Sequence, residues 1–142
     1  MVIKAEYVGG DYDKLGSYTS ARVISNPGGD PSNNNNTGAT GKTFKYGKIA
    51  AKIKLPGGKG IWPAFWMLGD NIGETGGDMS WPQCGEIDIL ETGGINDPNY
   101  GQGTVHGTVH RDPGTEANPL GYNKYIAAGH YTLPDGKLFK ED

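Results

Sequence analysis

The sequence predicts an all-β chain, and three observations carry that expectation. Its 142 residues include 25 Gly and 9 Pro, and these separate segments rich in Val, Ile, Tyr, Trp and Thr, as turns separate short strands. Several of those segments alternate in character at every second residue, the period of a strand. No stretch keeps a helical period for more than a turn or two. The length suits one modest domain with a core of its own.

Residues 1–7 alternate loosely and read as a first strand, and residues 9–16 as a turn-rich link. Residues 18–24 form a second strand. Residues 26–41 are a polar loop with four consecutive Asn, Asn33, Asn34, Asn35 and Asn36. Asn35-Asn36-Thr37 matches a glycosylation sequon, although a plain solvated loop explains such a stretch as well. Residues 42–55 alternate well and predict one or two strands, stopped by Pro56-Gly57-Gly58. A short apolar strand follows at 64–68, then a loop, a strand at 85–92 ended by Gly93-Gly94, and a Thr/Val strand at 103–110. The remainder reads as loop and weak strand.

Composition excludes several classes of function. Sixteen acidic residues against 13 basic ones give a net charge of −3. No block of Lys or Arg offers a site for a polyanion, so nucleic acid is not an expected partner. The longest apolar run, residues 61–68, is too short to span a bilayer. One cysteine, Cys84, permits no intrachain disulfide and reads as a small buried hydrophobe. No signal peptide is visible at the start of the sequence.

The segment richest in chemistry is Gly85-Glu86-Ile87-Asp88-Ile89-Leu90-Glu91. In a strand, Glu86 and Asp88 share one face while Ile87 and Ile89 point into the core. Glu91 has the wrong parity: a regular strand would send it to the core with the isoleucines, a cost of several kcal/mol for a lone carboxylate. A β-bulge near Ile89-Leu90 removes the conflict by adding one residue and turning Glu91 onto the acidic face. Glu86 and Glu91 then lie roughly 13 Å apart along the strand, at ~3.3 Å per step. Side chains leaning toward each other could reach the ~5–5.5 Å separation of a retaining glycosidase. Clustered carboxylates raise at least one pKa, which keeps a proton available for acid catalysis. An exposed acidic strand face or a metal site is the alternative reading.

Trp62 and Trp66 are four apart in Ile61-Trp62-Pro63-Ala64-Phe65-Trp66-Met67-Leu68, so a strand puts them on one face, with Phe65 and Met67 suited to the core. Indole platforms beside carboxylates suit a carbohydrate cleft, although two core tryptophans would give the same pattern. Trp81 is a third candidate. Arg22 interrupts a mild strand and by itself reads as a surface charge. His106 and His110 share parity, and a metal pair is conceivable there, but no third ligand is in evidence.

Taken together, these segments resemble glycoside hydrolase family 16, and within it the laminarinase-type endo-β-1,3-glucanases. The residues that carry the resemblance are Tyr18-Thr19-Ser20-Ala21-Arg22, Tyr46-Gly47-Lys48 with Ala51-Lys52-Ile53-Lys54-Leu55-Pro56, Ile61 through Gly69, Trp81 through Glu91, and Gly107-Thr108-Val109-His110. They stand in the family's order. The resemblance implies a β-jelly-roll sandwich of two antiparallel sheets with a long cleft. It implies Glu86 as nucleophile, Glu91 as general acid/base and Asp88 between them. Trp62, Trp66 and Arg22 would hold sugars on the non-reducing side, with Trp81 and His110 as further cleft residues. The implied partner is a β-glucan polysaccharide, met by a monomeric full-length protein that is secreted or held at the cell surface or in the periplasm. Mixed-linkage β-glucan, an algal galactan, or glucan binding without hydrolysis are the alternatives. The chemistry needs no cofactor, and a structural calcium ion occurs in many members, with no ligands assignable here. The family's domains are usually longer, so residues 1–142 read as one partial catalytic domain in which 26–41 is an inserted loop.

Overall fold

The computed structural model describes residues 1–11, 16–25, 42–57, 61–70, 81–92, 103–111 and 125–139. The chain is all-β, and the described residues form two antiparallel sheets. Strands β1 (Glu6–Tyr7) and β2 (Tyr18–Thr19) pair as a small ribbon. The turn between them begins with Gly9 and Gly10 at φ +114° and +97°, a region where side chains are strained and Gly is not. Tyr7 and Tyr18, opposite each other in the register, bring their rings to 5.4 Å.

The larger sheet has the order β3 (Ala64–Leu68), β4 (Glu86–Glu91), β5 (Thr104–Arg111), β6 (Tyr125–Thr132). Backbone bonds beyond the strands extend its ladders. Gly69 N–H donates to Gly85 O (2.9 Å) and Thr92 N–H to Pro63 O (3.2 Å), closing the β3–β4 pair at both ends. Leu133 N–H donates to Gly103 O (2.9 Å) beyond the β5–β6 pair. A 3₁₀ turn, Pro134–Gly136, follows β6. Among the described residues no helix is long and apolar enough to cross a membrane.

The strands expected at 1–7 and 18–24 are each only two residues long, Glu6–Tyr7 and Tyr18–Thr19, and three further expectations need correction. Residues 42–55 form no strand. Their alternation is real, but most of these residues are exposed and no described strand lies alongside to accept their backbone bonds. A strand exists only with a partner, so the pattern alone does not suffice. The second correction is an omission: β6 is a full eight-residue strand where the sequence predicts only weak structure. Its Ala127, Ala128 and Gly129 are poor strand formers, and pairing with β5 overrides that local preference. The third concerns the core. Ile87 and Ile89 are 44% and 37% exposed, not buried. Val109 and Tyr131 are exposed too. Among the described residues no strand of the small sheet contacts a strand of the large one, so the strands of the small sheet do not cover the apolar face. Leu55 is the one aliphatic side chain fully buried among the described residues. The expected insertion at 26–41 lies outside the described residues.

Candidate active site

The site is built from β4 outward. Against β5, Asp88 pairs with Thr108 and Glu91 with His106. Three steps on β4 therefore match two on β5, which is a β-bulge. The β3 side repeats the count: Trp66 pairs with Asp88 and Phe65 with Leu90. Ile89 is thus the extra residue against β3, and Ile89 and Leu90 together oppose a single position of β5, at the place where the parity of the carboxylates demands a bulge.

Directly opposed residues in antiparallel strands share a face. Three rows follow from the register: Leu68, Glu86, His110; Trp66, Asp88, Thr108; and Ala64, Glu91, His106, His130. All three carboxylates therefore stand on one side of the sheet, with Trp66 on the same side. Asp88 is buried at 5% exposure, while Glu86 and Glu91 are half-buried.

Each of the outer carboxylates accepts a hydrogen bond from an indole N–H. Trp81 Nε1 donates to Glu86 Oε2, and Trp62 Nε1 donates to Glu91 Oε1. Asp88 Oδ2 is held by His110 Nε2 at 3.1 Å, and the other ring nitrogen of His110 is buried without a partner. The Trp81 and His110 rings lie 5.7 Å apart, tilted by 50°. Trp81, His110 and the first two carboxylates therefore form one connected cluster.

The electrostatics single out Glu86. Burial pushes its carboxyl above the usual Glu range, and the neighbouring Asp88 charge pushes it the same way. The Trp81 N–H and His110 work against this by favouring the ionised form. Cys84 lies two residues away, and burial raises its thiol as well. A protonated thiol is a poor nucleophile, in keeping with a packing role for this residue.

The register thus gathers Glu86, Asp88, Glu91 and Trp66, and hydrogen bonds add Trp62, Trp81 and His110. Trp62 is 61% exposed, so its ring face is open to solvent while its N–H is engaged. Arg22 is exposed, three residues beyond the end of β2. The sequence points to the tryptophans as sugar platforms and gives no sign of them as donors to the carboxylates. That role depends on where loop residues 62 and 81 fold back, which no periodicity encodes. His130 escapes sequence reasoning because β6 does. Among the described residues, no group of three or more His, Cys, Asp or Glu is arranged to hold a metal ion, so the calcium expectation finds no donor cluster of that kind there.

Comparison with known proteins places these features. The family model described as "XgeA-like, catalytic GH16 domain" matches residues 36–126. The chain is 42% identical over 94 residues to a β-glucanase of Rhodothermus marinus, an overlap of 66% of this chain and 26% of that one. It is 35% identical over 101 residues to glucan endo-1,3-β-glucosidase A1 of Niallia circulans, covering 70% of this chain and 12% of that one. It is 41% identical over 68 residues to a β-1,3-glucan-binding protein of Penaeus monodon, covering 44% and 18%. The chain therefore spans about a quarter or less of each of these relatives. With the matched region running through the bulged carboxylate strand and its neighbours, the chain belongs to glycoside hydrolase family 16.

Proposed function

We propose that this chain carries the catalytic centre of a retaining endo-hydrolase of β-1,3-glucan. The observation that supports this most is the bulge at Ile89, which puts Glu86, Asp88 and Glu91 on one face of β4. A sheet face needs no such interruption to be acidic. The interruption serves only to bring a third carboxylate round to join two others.

In this reading Glu86, ionised, attacks the anomeric carbon. Glu91, protonated, gives its proton to the glycosidic oxygen, and the leaving sugar departs. The C–O bond to Glu86 is the covalent intermediate. Glu91, now a carboxylate, takes a proton from water as that water attacks the same carbon and frees Glu86. Asp88 sits between them, buried and held by His110, and raises the proton affinity of Glu86. The indole N–H groups of Trp81 and Trp62 fix the two outer carboxyls, and the exposed ring of Trp62 offers a face for a sugar. No metal or cofactor is used in these steps. The full-length protein acts as a monomer outside the cytoplasm, where such polysaccharides are found.

The glucan endo-1,3-β-glucosidase and β-glucanase relatives support a glucan substrate. The Penaeus relative favours a second reading, glucan binding without hydrolysis. Retention of all three carboxylates weighs against it. Digestion of laminarin, lichenan and agarose by the full-length protein, with the product anomer followed by proton NMR, tests both. β-Products from laminarin are expected. Cleavage of lichenan or agarose alone would move the assignment to mixed-linkage glucan or galactan. Binding to laminarin without cleavage would replace hydrolysis by recognition, and an inverted anomer would remove the covalent intermediate.

A further inference from the structure

The acidic face continues past the three carboxylates, and its outer part has no role in the proposed reaction. In the row that starts at Ala64 and Glu91, the register leads on to His106 in β5 and His130 in β6. These two histidines are directly opposed on adjacent antiparallel strands. Their rings lie 6.3 Å apart, tilted by 51°, and both residues are exposed. We propose that His106 and His130 form a two-point binding site for a divalent transition-metal ion of the zinc and nickel kind.

The geometry favours it on three grounds. Opposed residues in such a pair have Cβ atoms about 4.5–5.5 Å apart, so two imidazoles can converge on an ion held ~2.0–2.1 Å from each ring nitrogen. Exposed rings need only side-chain rotation to close the remaining gap, and they lose little solvation in doing so. The backbone beneath is already fixed. β5 and β6 pair over eight residues without a break, and the next pair on the same face, Thr104 and Thr132, is joined by a side-chain hydrogen bond of 2.9 Å. Prearranged ligands lose less entropy on binding than mobile ones. Imidazole suits borderline metals such as zinc and nickel better than calcium or magnesium, which prefer oxygen. Among the described residues no third His, Cys, Asp or Glu completes the set, so water would fill the other positions and the site would be an exchangeable one.

The position has a consequence for the carboxylates. His106 is the register partner of Glu91, so an ion on the pair stands next to that carboxylate and on the floor that a glucan would cross. Occupancy is therefore inhibitory. This consequence rests on the proposed hydrolase function, whereas the binding itself does not.

The test is a calorimetric titration of the metal-free full chain with Zn²⁺ and with Ni²⁺ at pH 7.5. The proton NMR signals of the chain's 3 histidines are followed in parallel. One equivalent should bind, and Ni²⁺ should broaden the His106 and His130 rings before that of His110. His106→Ala and His130→Ala should each weaken binding by at least about tenfold, since either leaves a single ligand. Cys84→Ser should leave binding in place. No binding by the wild type, first broadening of His110, or loss of binding in Cys84→Ser would each overturn the site. Zn²⁺ should also suppress laminarin hydrolysis in the wild type and spare the double alanine variant. Metal binding in a chain that cleaves no glucan would uphold the site and sink the hydrolase reading, and hydrolysis without metal binding would do the reverse.

Discussion

The two ladders that flank β5 differ in one respect. With β6, β5 pairs residue for residue over its whole length. With β4, the pairing skips a residue between Asp88 and Glu91. The unbroken ladder preserves parity and therefore carries one pattern across the sheet. The broken ladder changes parity halfway along β4, and the change is what puts Glu91 beside Glu86 and Asp88. A regular sheet would have left a carboxylate on the apolar side with Ile87. One inserted residue thus exchanges a structural liability for a third acid on the same face.

The largest effects should come from the residues the bulge brings together. Glu86→Gln in the full-length protein should lower turnover on the order of 10⁴-fold or more, as loss of a nucleophile does in other covalent enzymes. Glu91→Gln should spare much of the first step with an activated aryl glycoside and then stall. Added azide should rescue the Glu91 variant with a β-azide product and the Glu86 variant with an α-azide product. The opposite anomers would exchange the two roles.

Deleting Ile89 attacks the comparison directly. A regular β4 would then match β5 as evenly as β6 does, and Glu91, now four positions from Glu86, would keep the acidic face without a bulge. A folded deletion variant should therefore retain measurable activity, whereas inserting one further residue beside Ile89 should turn Glu91 to the other face and lower activity to the level of Glu91→Gln while circular dichroism still reports an all-β fold. Wild-type activity in a folded insertion variant would show that strand parity is not what places the acid.

A subtler effect lies in the pH profile. In the proposed reaction Glu86 attacks as the ionised form, and burial with Asp88 nearby raises its pKa. Trp81→Phe removes the N–H that favours the charged form, so the acidic limb of kcat/KM should move to higher pH. Asp88→Asn removes a like charge, so that limb should move to lower pH, at a cost in rate. Unchanged limbs in both variants would detach Glu86 from the profile. Folding obeys the same linkage: a carboxyl with a raised native pKa binds its proton more tightly when folded. Its contribution to stability is present below the ordinary Glu value and is lost as pH rises through the raised one. Chemical denaturation of Glu86→Gln across that window should show a flatter dependence than wild type.

The smallest effect is expected at Gly107, on β5 across from the bulge. A Cβ there would meet Asp88 O at 3.5 Å and Ile89 O at 3.9 Å, ordinary contact distances. Gly107→Ala should change stability by less than about 1 kcal/mol, in the stabilising direction if the strand gains from lower chain entropy. A severe loss of activity with folding intact would mean that the bulge tolerates no neighbour at all.

Much of the site is legible in the order of the residues. Alternation places Glu86 and Asp88 together, and the parity of Glu91 demands a bulge within two residues of where it occurs. Trp66 follows from the same period of two. The all-β class follows from turn residues between β-rich segments. These features are local, and a strand's geometry makes every second side chain a neighbour whatever surrounds it. Other features depend on which segments meet. Residues 42–55 have a strand's alternation and no described strand beside them, whereas β6 has poor local propensity and a partner along its whole length. The engagement of Trp62 and Trp81 with the carboxylates, the grip of His110 on Asp88, the exposure of Ile87 and Ile89, and the pairing of His106 with His130 all require the sheet to be assembled. Apart from the bond between Trp81 and Glu86, five residues apart, these hydrogen bonds and burials belong to pairs of segments distant in the chain, so the sequence determined the acidic strand and its bulge, and the folded structure decided what holds each acid in place.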